Sequence, residues 1–148
     1  MVGPAQSGKT AALRQLQDQF GWPLANLNLR LSERLLELTG RQRALRLPRL
    51  LDDLVAELAG EVVLLDNLEM LFHPDLQQDP LRLLQGLSRN RTIVASWRGH
   101  VHCSSLVYAT PDHPEYRRYE APQTLIVVAE PSEIPRIQLA PGAQESKQ

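Results

Sequence analysis

The sequence predicts an α/β fold: three layers, with helices packed on a mostly parallel sheet. Three observations predict it. Short apolar runs alternate along the chain with longer stretches of three- and four-residue apolar spacing, the order expected of strands joined by helical crossovers. Two of those runs, residues 61–66 and 92–97, are almost continuously apolar, as strands covered on both faces must be. A glycine-bearing loop also leads directly into the first helical stretch.

Taken in order, residues 9–20 read as a helix through Ala12, Leu13, Leu16 and Phe20. Gly21 to Pro23 breaks it, and residues 23–29 alternate leucines with Asn26 and Asn28 as a strand would. Ser32 is the expected N-cap of a short helix through Leu38 that ends near Gly40. Pro48 suits the first turn of the next helix, with Leu50, Leu51, Leu54, Val55 and Leu58 as its apolar positions and Gly60 as its stop. After the strand at 61–66 comes a helical turn around residues 68–72. Asp79-Pro80 then opens a helix carrying Leu81, Leu83, Leu84 and Leu87. Beyond the strand at 92–97, residues 98–123 carry few regular signals and are expected as a long loop, with a last strand at 124–129. Three prolines and a polar end predict a flexible tail at 131–148, after a core spanning 1–130.

At 148 residues, 43% hydrophobic and 22% charged, the chain has the balance of one soluble globular domain. A net charge of −1 gives no overall attraction for nucleic acid. No apolar run reaches the roughly 18 residues of a membrane span. The start of the chain lacks the layout of a secretory leader, and the single Cys103 excludes an internal disulfide, so a cytoplasmic location is expected.

Gly3-Pro4-Ala5-Gln6-Ser7-Gly8-Lys9-Thr10 fits the G-x-x-x-x-G-K-[ST] phosphate loop at each fixed position. Glycines let backbone N–H groups converge on phosphate oxygens, and the helix that follows directs the positive end of its dipole at the same anion. Lys9 is expected on the β- and γ-phosphates and the Thr10 hydroxyl on magnesium. Of the 16 basic residues only Lys9 and Lys147 are lysine, so a lysine at the required position is a specific signal. Gly3, Ser7, Gly8, Lys9 and Thr10 are therefore the expected binding residues for ATP with Mg2+.

Val62-Val63-Leu64-Leu65-Asp66 is four apolar residues and an acid, which in a phosphate-loop protein brings a carboxylate to the magnesium; Thr10 and Asp66 are the expected metal residues. The next position, where many hydrolysing relatives carry a water-activating Glu, holds Asn67, whose amide takes no proton. Glu69 is the nearest substitute, and Ser96, the hydroxyl that ends the apolar stretch Thr92-Ile93-Val94-Ala95-Ser96, is the candidate sensor of the γ-phosphate. Arg98 is a third candidate, for phosphate or a neighbouring subunit. Hydrolysis is accordingly expected to be slow or partner-dependent.

Weaker signals have plainer readings. Arg41, Arg43, Arg46 and Arg49 form a basic cluster balanced by Asp52, Asp53 and Glu57, the pattern of a solvated face. His100 and His102 with Cys103 lack a second ligand cluster, so no metal beyond magnesium is expected. Tyr116, Arg117, Arg118 and Tyr119 are a potential contact surface. Only Met1 and Val2 precede the loop, where a buried central strand belongs, so the core is expected to lack its first strand and the reading frame to begin further upstream.

With these motifs placed, the chain resembles the BrxF family, the small P-loop proteins of type 3 bacteriophage-exclusion (BREX) systems. The likeness runs from Val2-Gly3-Pro4 to the last strand. The blocks that carry it are Leu31-Ser32-Glu33-Arg34-Leu35-Leu36-Glu37-Leu38-Thr39, Leu64-Leu65-Asp66-Asn67-Leu68-Glu69, the run from Gln78-Asp79-Pro80 to Asn90-Arg91-Thr92, and His113-Pro114-Glu115-Tyr116-Arg117-Arg118-Tyr119. The resemblance implies a P-loop NTPase core that binds ATP through Gly8, Lys9, Thr10 and Asp66, with Asn67 usual at its position. It also implies work with other proteins of an antiphage defence system. An oligomer is compatible with it, and nucleic acid enters only indirectly through those partners. Two alternatives stand beside an ATPase or nucleotide switch: a non-hydrolysing interaction module, and a small-molecule kinase, for which no acceptor-binding motif is seen.

Overall fold

In the computed structural model the chain runs β1 (Val2–Gly3), α1 (Lys9–Phe20), β2 (Leu24–Asn26), α2 (Leu27–Leu35), α3 (Gly40–Ala56) and β3 (Val62–Asp66). Two 3-10 turns follow, Glu69–Phe72 and Pro74–Leu76, then α4 (Pro80–Leu87), β4 (Thr92–Ala95), β5 (Trp97–Arg98), β6 (His100–His102), β7 (Ser105–Tyr108), β8 (Arg117–Glu120), β9 (Ile126–Glu130) and β10 (Glu133–Gln138). Residues 1–130 and 133–138 are described. The chain divides into two compact units. Thr10–Ser96 is one, and Met1–Lys9 with the chain from Trp97 onward is the other. The expected α/β class holds, with open sheets and parallel pairing.

In the unit Thr10–Ser96, β3 lies between β2 and β4 and pairs parallel with both. Val63, Leu64 and Leu65 are fully buried, which explains a run with no polar alternation. β2 stops sooner than its leucine pattern predicts. The Asn26 side chain accepts from the Leu29 N–H at 3.0 Å, caps a helix, and turns the rest of the expected strand into α2. Leu27, Leu31 and Leu35 then recur every four residues on its buried face. Ser32, expected as the cap, sits inside α2 and donates to the Leu29 carbonyl at 2.9 Å.

α3 begins at Gly40, which opens this helix where the sequence suggested a stop. Thr39 and Gln42 form a capping box, with Gln42 N–H to Thr39 Oγ1 at 3.3 Å and Thr39 N–H to Gln42 Oε1 at 3.0 Å. Pro48 therefore falls mid-helix, where it cannot donate to the carbonyl four residues back. That acceptor, the Ala44 oxygen, receives the Gln78 side-chain amide at 2.8 Å instead. Two arginines finish helix ends. Arg43 Nε donates to the Leu35 and Leu38 carbonyls at 3.0 and 2.9 Å, and Arg91 Nη1 donates to Val55 at 2.9 Å and also to Leu58.

In the other unit, β1 lies between β5 and β9 and pairs parallel with each, and β10 runs antiparallel along β9. The expected gap at the first strand is thus filled by two residues. Trp97 N–H donates to Met1 O at 2.7 Å and Gly99 N–H to Gly3 O at 3.0 Å. The stretch expected as a long loop instead forms an antiparallel sheet in the order β6-β7-β8. His100 and His102 alternate with Val101, and Arg118 and Glu120 with Tyr119, so this sheet's polar positions hid its period of two. Trp97 anchors it, edge-on to Tyr108 at 6.2 Å and Tyr119 at 5.9 Å, with its indole N–H on the Val107 carbonyl at 3.2 Å. Cys103 and Ser104, at φ 46° and 66°, form a two-residue turn between β6 and β7. Of the expected tail, Glu133–Gln138 is β10, while 131–132 and 139–148 lie outside the described residues. Among the described residues no helix is long and apolar enough to cross a membrane.

Candidate phosphate-loop site

The loop leaves β1 at Gly3 and enters α1 at Lys9. Ser7 N–H closes a turn on the Pro4 carbonyl at 3.3 Å, and Gln6 and Gly8 take positive φ, 60° and 86°. Gly3 admits no side chain, because a Cβ there would lie 2.5 Å from Ser7 Oγ and 2.6 Å from the Ala129 carbonyl oxygen. Lys9 folds back over its own loop. Its ammonium donates to the carbonyls of Gly3 at 2.9 Å and Pro4 at 2.5 Å, and to Ser7 Oγ at 3.1 Å. Burial first, and the Lys9 charge second, lower the Met1 α-amino group to about 6, which leaves it mostly neutral at pH 7.

Within Thr10–Ser96, three candidates come together. The Thr10 hydroxyl donates to Asp66 Oδ2 at 2.6 Å, and the Ser96 hydroxyl donates to Asp66 Oδ1 at 2.5 Å. Asp66 is 6% exposed, so both carboxylate oxygens are satisfied inside the protein by short, charge-assisted bonds. Asp66 ends β3, Asn26 beside it ends β2, and Ser96 follows β4. All three therefore stand at the carboxyl edge of the parallel sheet, the edge where open α/β sheets take their ligands.

Asn67, next after Asp66, sits at φ 54°, a left-handed conformation that Asn tolerates better than Glu does. Its carbonyl accepts from the Asn28 N–H at 3.0 Å. The Asn28 side chain grips the same turn twice: Nδ2 donates to Glu69 Oε2 at 3.1 Å, and Oδ1 accepts from Met70 N–H at 2.9 Å. Asn28 was legible in the sequence only as a polar position in an expected strand. No local pattern marks it, because its partners lie about forty residues downstream.

The remaining candidates fall elsewhere in the chain's organisation. Arg98 is exposed at the end of β5, in the other unit. Of the basic cluster, Arg43 is spent on helix capping, and Arg41, Arg46 and Arg49 are exposed on α3. His100 and His102 are exposed on β6, and among the described residues no three His, Cys, Asp or Glu side chains gather as a metal site. Tyr119 packs on Trp97, and Arg118 donates to Glu120 Oε1 at 2.6 Å along the same strand, so part of that block is engaged within its own unit. Comparison with protein-family models, with curated proteins and with solved structures gives no match.

Proposed function

We propose that the chain binds ATP with magnesium through a three-layer P-loop NTPase core. We further propose that it serves, in the cytoplasm, as an ATPase or nucleotide switch working with other proteins of a BREX-type antiphage system. The observation that carries the nucleotide reading is the buried Asp66 carboxylate at the carboxyl edge of a parallel sheet, held by the Thr10 and Ser96 hydroxyls. The residues present fit magnesium. Thr10 Oγ1 and Asp66 supply the few hard oxygen donors that this ion takes from a protein when phosphates and water complete its shell. Bound there, the ion would neutralise charge on the β- and γ-phosphates. Lys9, next in the chain to Thr10, has an ammonium already gathered to the loop and is assigned to the same phosphates. Ser96 is assigned to sensing the γ-phosphate. The defence role rests on the sequence blocks that resemble the BrxF family.

One observation favours a second reading, binding without turnover. The position after Asp66 is Asn67, in a left-handed conformation, and its amide cannot accept a proton.

Equilibrium binding of a fluorescent ATP analogue with magnesium tests the first reading. Wild type is expected to bind saturably, and Lys9→Ala to weaken binding at least tenfold while keeping its circular dichroism. Equal binding by both, or none by folded wild type, sinks the nucleotide reading. Phosphate release stimulated by co-purified partners separates a switch that turns over from a module that does not.

A further inference from the structure

We infer that the outer face of α3 is a docking surface for a second copy of this chain, laid antiparallel about a two-fold axis. α3 buries Leu47, Leu51, Leu54 and Val55 on one side. Gln42, Leu45, Arg49, Asp52 and Ala56 are exposed on the side away from them, spaced three, four, three and four residues apart. That is the spacing of a seam along which one helix packs on another, and it runs about 21 Å along the axis. Leu45 is the large apolar side chain in it, 72% exposed in the body of the helix. Arg46 and Asp53, both exposed, flank the seam on the same side.

The order of charge along the seam selects the partner. Arg41, Arg46 and Arg49 occupy the first part of α3, and Asp52 and Asp53 lie near its end. For a helix on its own this order is unfavourable, since anions are stabilised near an N-terminus and cations near a C-terminus. The charges are not matched within the helix either: among the described residues no ion pair joins Arg41, Arg46 or Arg49 to Asp52 or Asp53. Glu57, just beyond, is already paired with Arg34 at 2.6 Å. A second copy running antiparallel reverses the order, so the basic part of each helix meets the acidic part of the other. With the two-fold axis level with Leu50 and Leu51, Leu45 meets Ala56 of the second copy, Arg49 meets Asp52, and Arg46 meets Asp53. Symmetry makes each contact twice, so an apolar layer stands at either end of four ion pairs. A parallel pair would set Arg49 against Arg49 and Asp52 against Asp52. The two helix dipoles also oppose one another in the antiparallel arrangement. None of this depends on whether the chain binds nucleotide.

Sedimentation equilibrium of the full chain, from micromolar to millimolar concentration and at low and high salt, tests the inference. The samples are wild type, Leu45→Asp, Arg49→Asp and Asp52→Arg, with circular dichroism to show that each is folded. Wild type is expected to dimerise, with a Kd that rises roughly tenfold from low to high salt as the ion pairs are screened. Each substitution acts twice in a symmetric pair and is expected to weaken the dimer at least about tenfold. The deciding sample is an equimolar mixture of Arg49→Asp and Asp52→Arg. Alone, each variant sets like charges together. Mixed, the carboxylate introduced at position 49 meets the guanidinium introduced at position 52, and Asp52 of the first variant meets Arg49 of the second. The mixture is expected to dimerise with a Kd within about threefold of wild type. Wild type that stays monomeric at every concentration overturns the inference and leaves the face to a different partner. So does a dimer that Arg49→Asp leaves intact, because the contact then lies elsewhere. A mixture that stays monomeric overturns it too, because the pairs are then not those named.

Discussion

Glu120 of β8 accepts two donors, the Ser105 hydroxyl at 2.6 Å and the Arg118 guanidinium at 2.6 Å, and in that order they hold its carboxyl below its ordinary value of 4.5. A depressed folded-state value means that the ionised form supports the fold above the unfolded value and stops doing so as pH falls through the folded one. Glu120→Gln is therefore expected to melt lower than wild type at neutral pH, with the difference closing below pH 4.5. Parallel melting curves recorded across that range check it; a gap independent of pH would place the effect elsewhere. At this scale the sequence is informative where chemistry is local. Thr10, Asp66 and Ser96 were legible as candidates from motif and strand ends, and the structure brings the three within hydrogen-bonding distance. Asn28 was not, since the contact to Glu69 spans 41 positions and depends on where β2 stops.

Where elements begin and end was the least legible property, and the reasons are particular. Leu24, Leu27 and Leu29 suit a strand, but Asn26 offers a side-chain cap that starts a helix after three strand residues. Pro48 marks a helix start in most settings, yet here Gln78 supplies the donor that the proline removes, so α3 runs through it. Gln78→Ala should then leave the Ala44 carbonyl short of a partner and lower stability by about 1–2 kcal/mol. In a Pro48→Ala background the restored helical N–H should take over that acceptor, and the same Gln78→Ala change should cost distinctly less. Chemical denaturation of the four proteins measures the coupling, and strictly additive effects would break the link between these two residues.

For the molecule as a whole, the alternation of strands and helices was enough to read the α/β class. The split into two units was not readable, because the second is assembled from both ends of the described chain. Its β1 contributes two residues, and among the described residues its buried apolar side chains, Val2, Leu106 and Ile126 among them, are fewer than the leucine-rich set of Thr10–Ser96. Among the described residues the α-helices lie in Thr10–Ser96 apart from the first residue of α1, while Trp97 belongs to the other unit. In a Trp22→Phe variant, Trp97 fluorescence and helical circular dichroism therefore report on different units. Trp97 is expected to lose its native signal at lower denaturant than the helices. Coincident midpoints would mean that the chain unfolds as one cooperative body.

The turn between β6 and β7 has a practical consequence. Cys103, the single thiol of the sequence, is exposed there, with its backbone already in a positive-φ turn. A maleimide dye would have one point of attachment, on the tip of the hairpin, in the unit that does not carry Asp66. Wild-type protein can thus carry a fluorophore without any engineered cysteine, and Trp97, in the same unit, offers a donor for energy transfer to it. In the Trp22→Phe variant, a rearrangement within that unit on addition of nucleotide or partner would then be observable as a change in one optical distance.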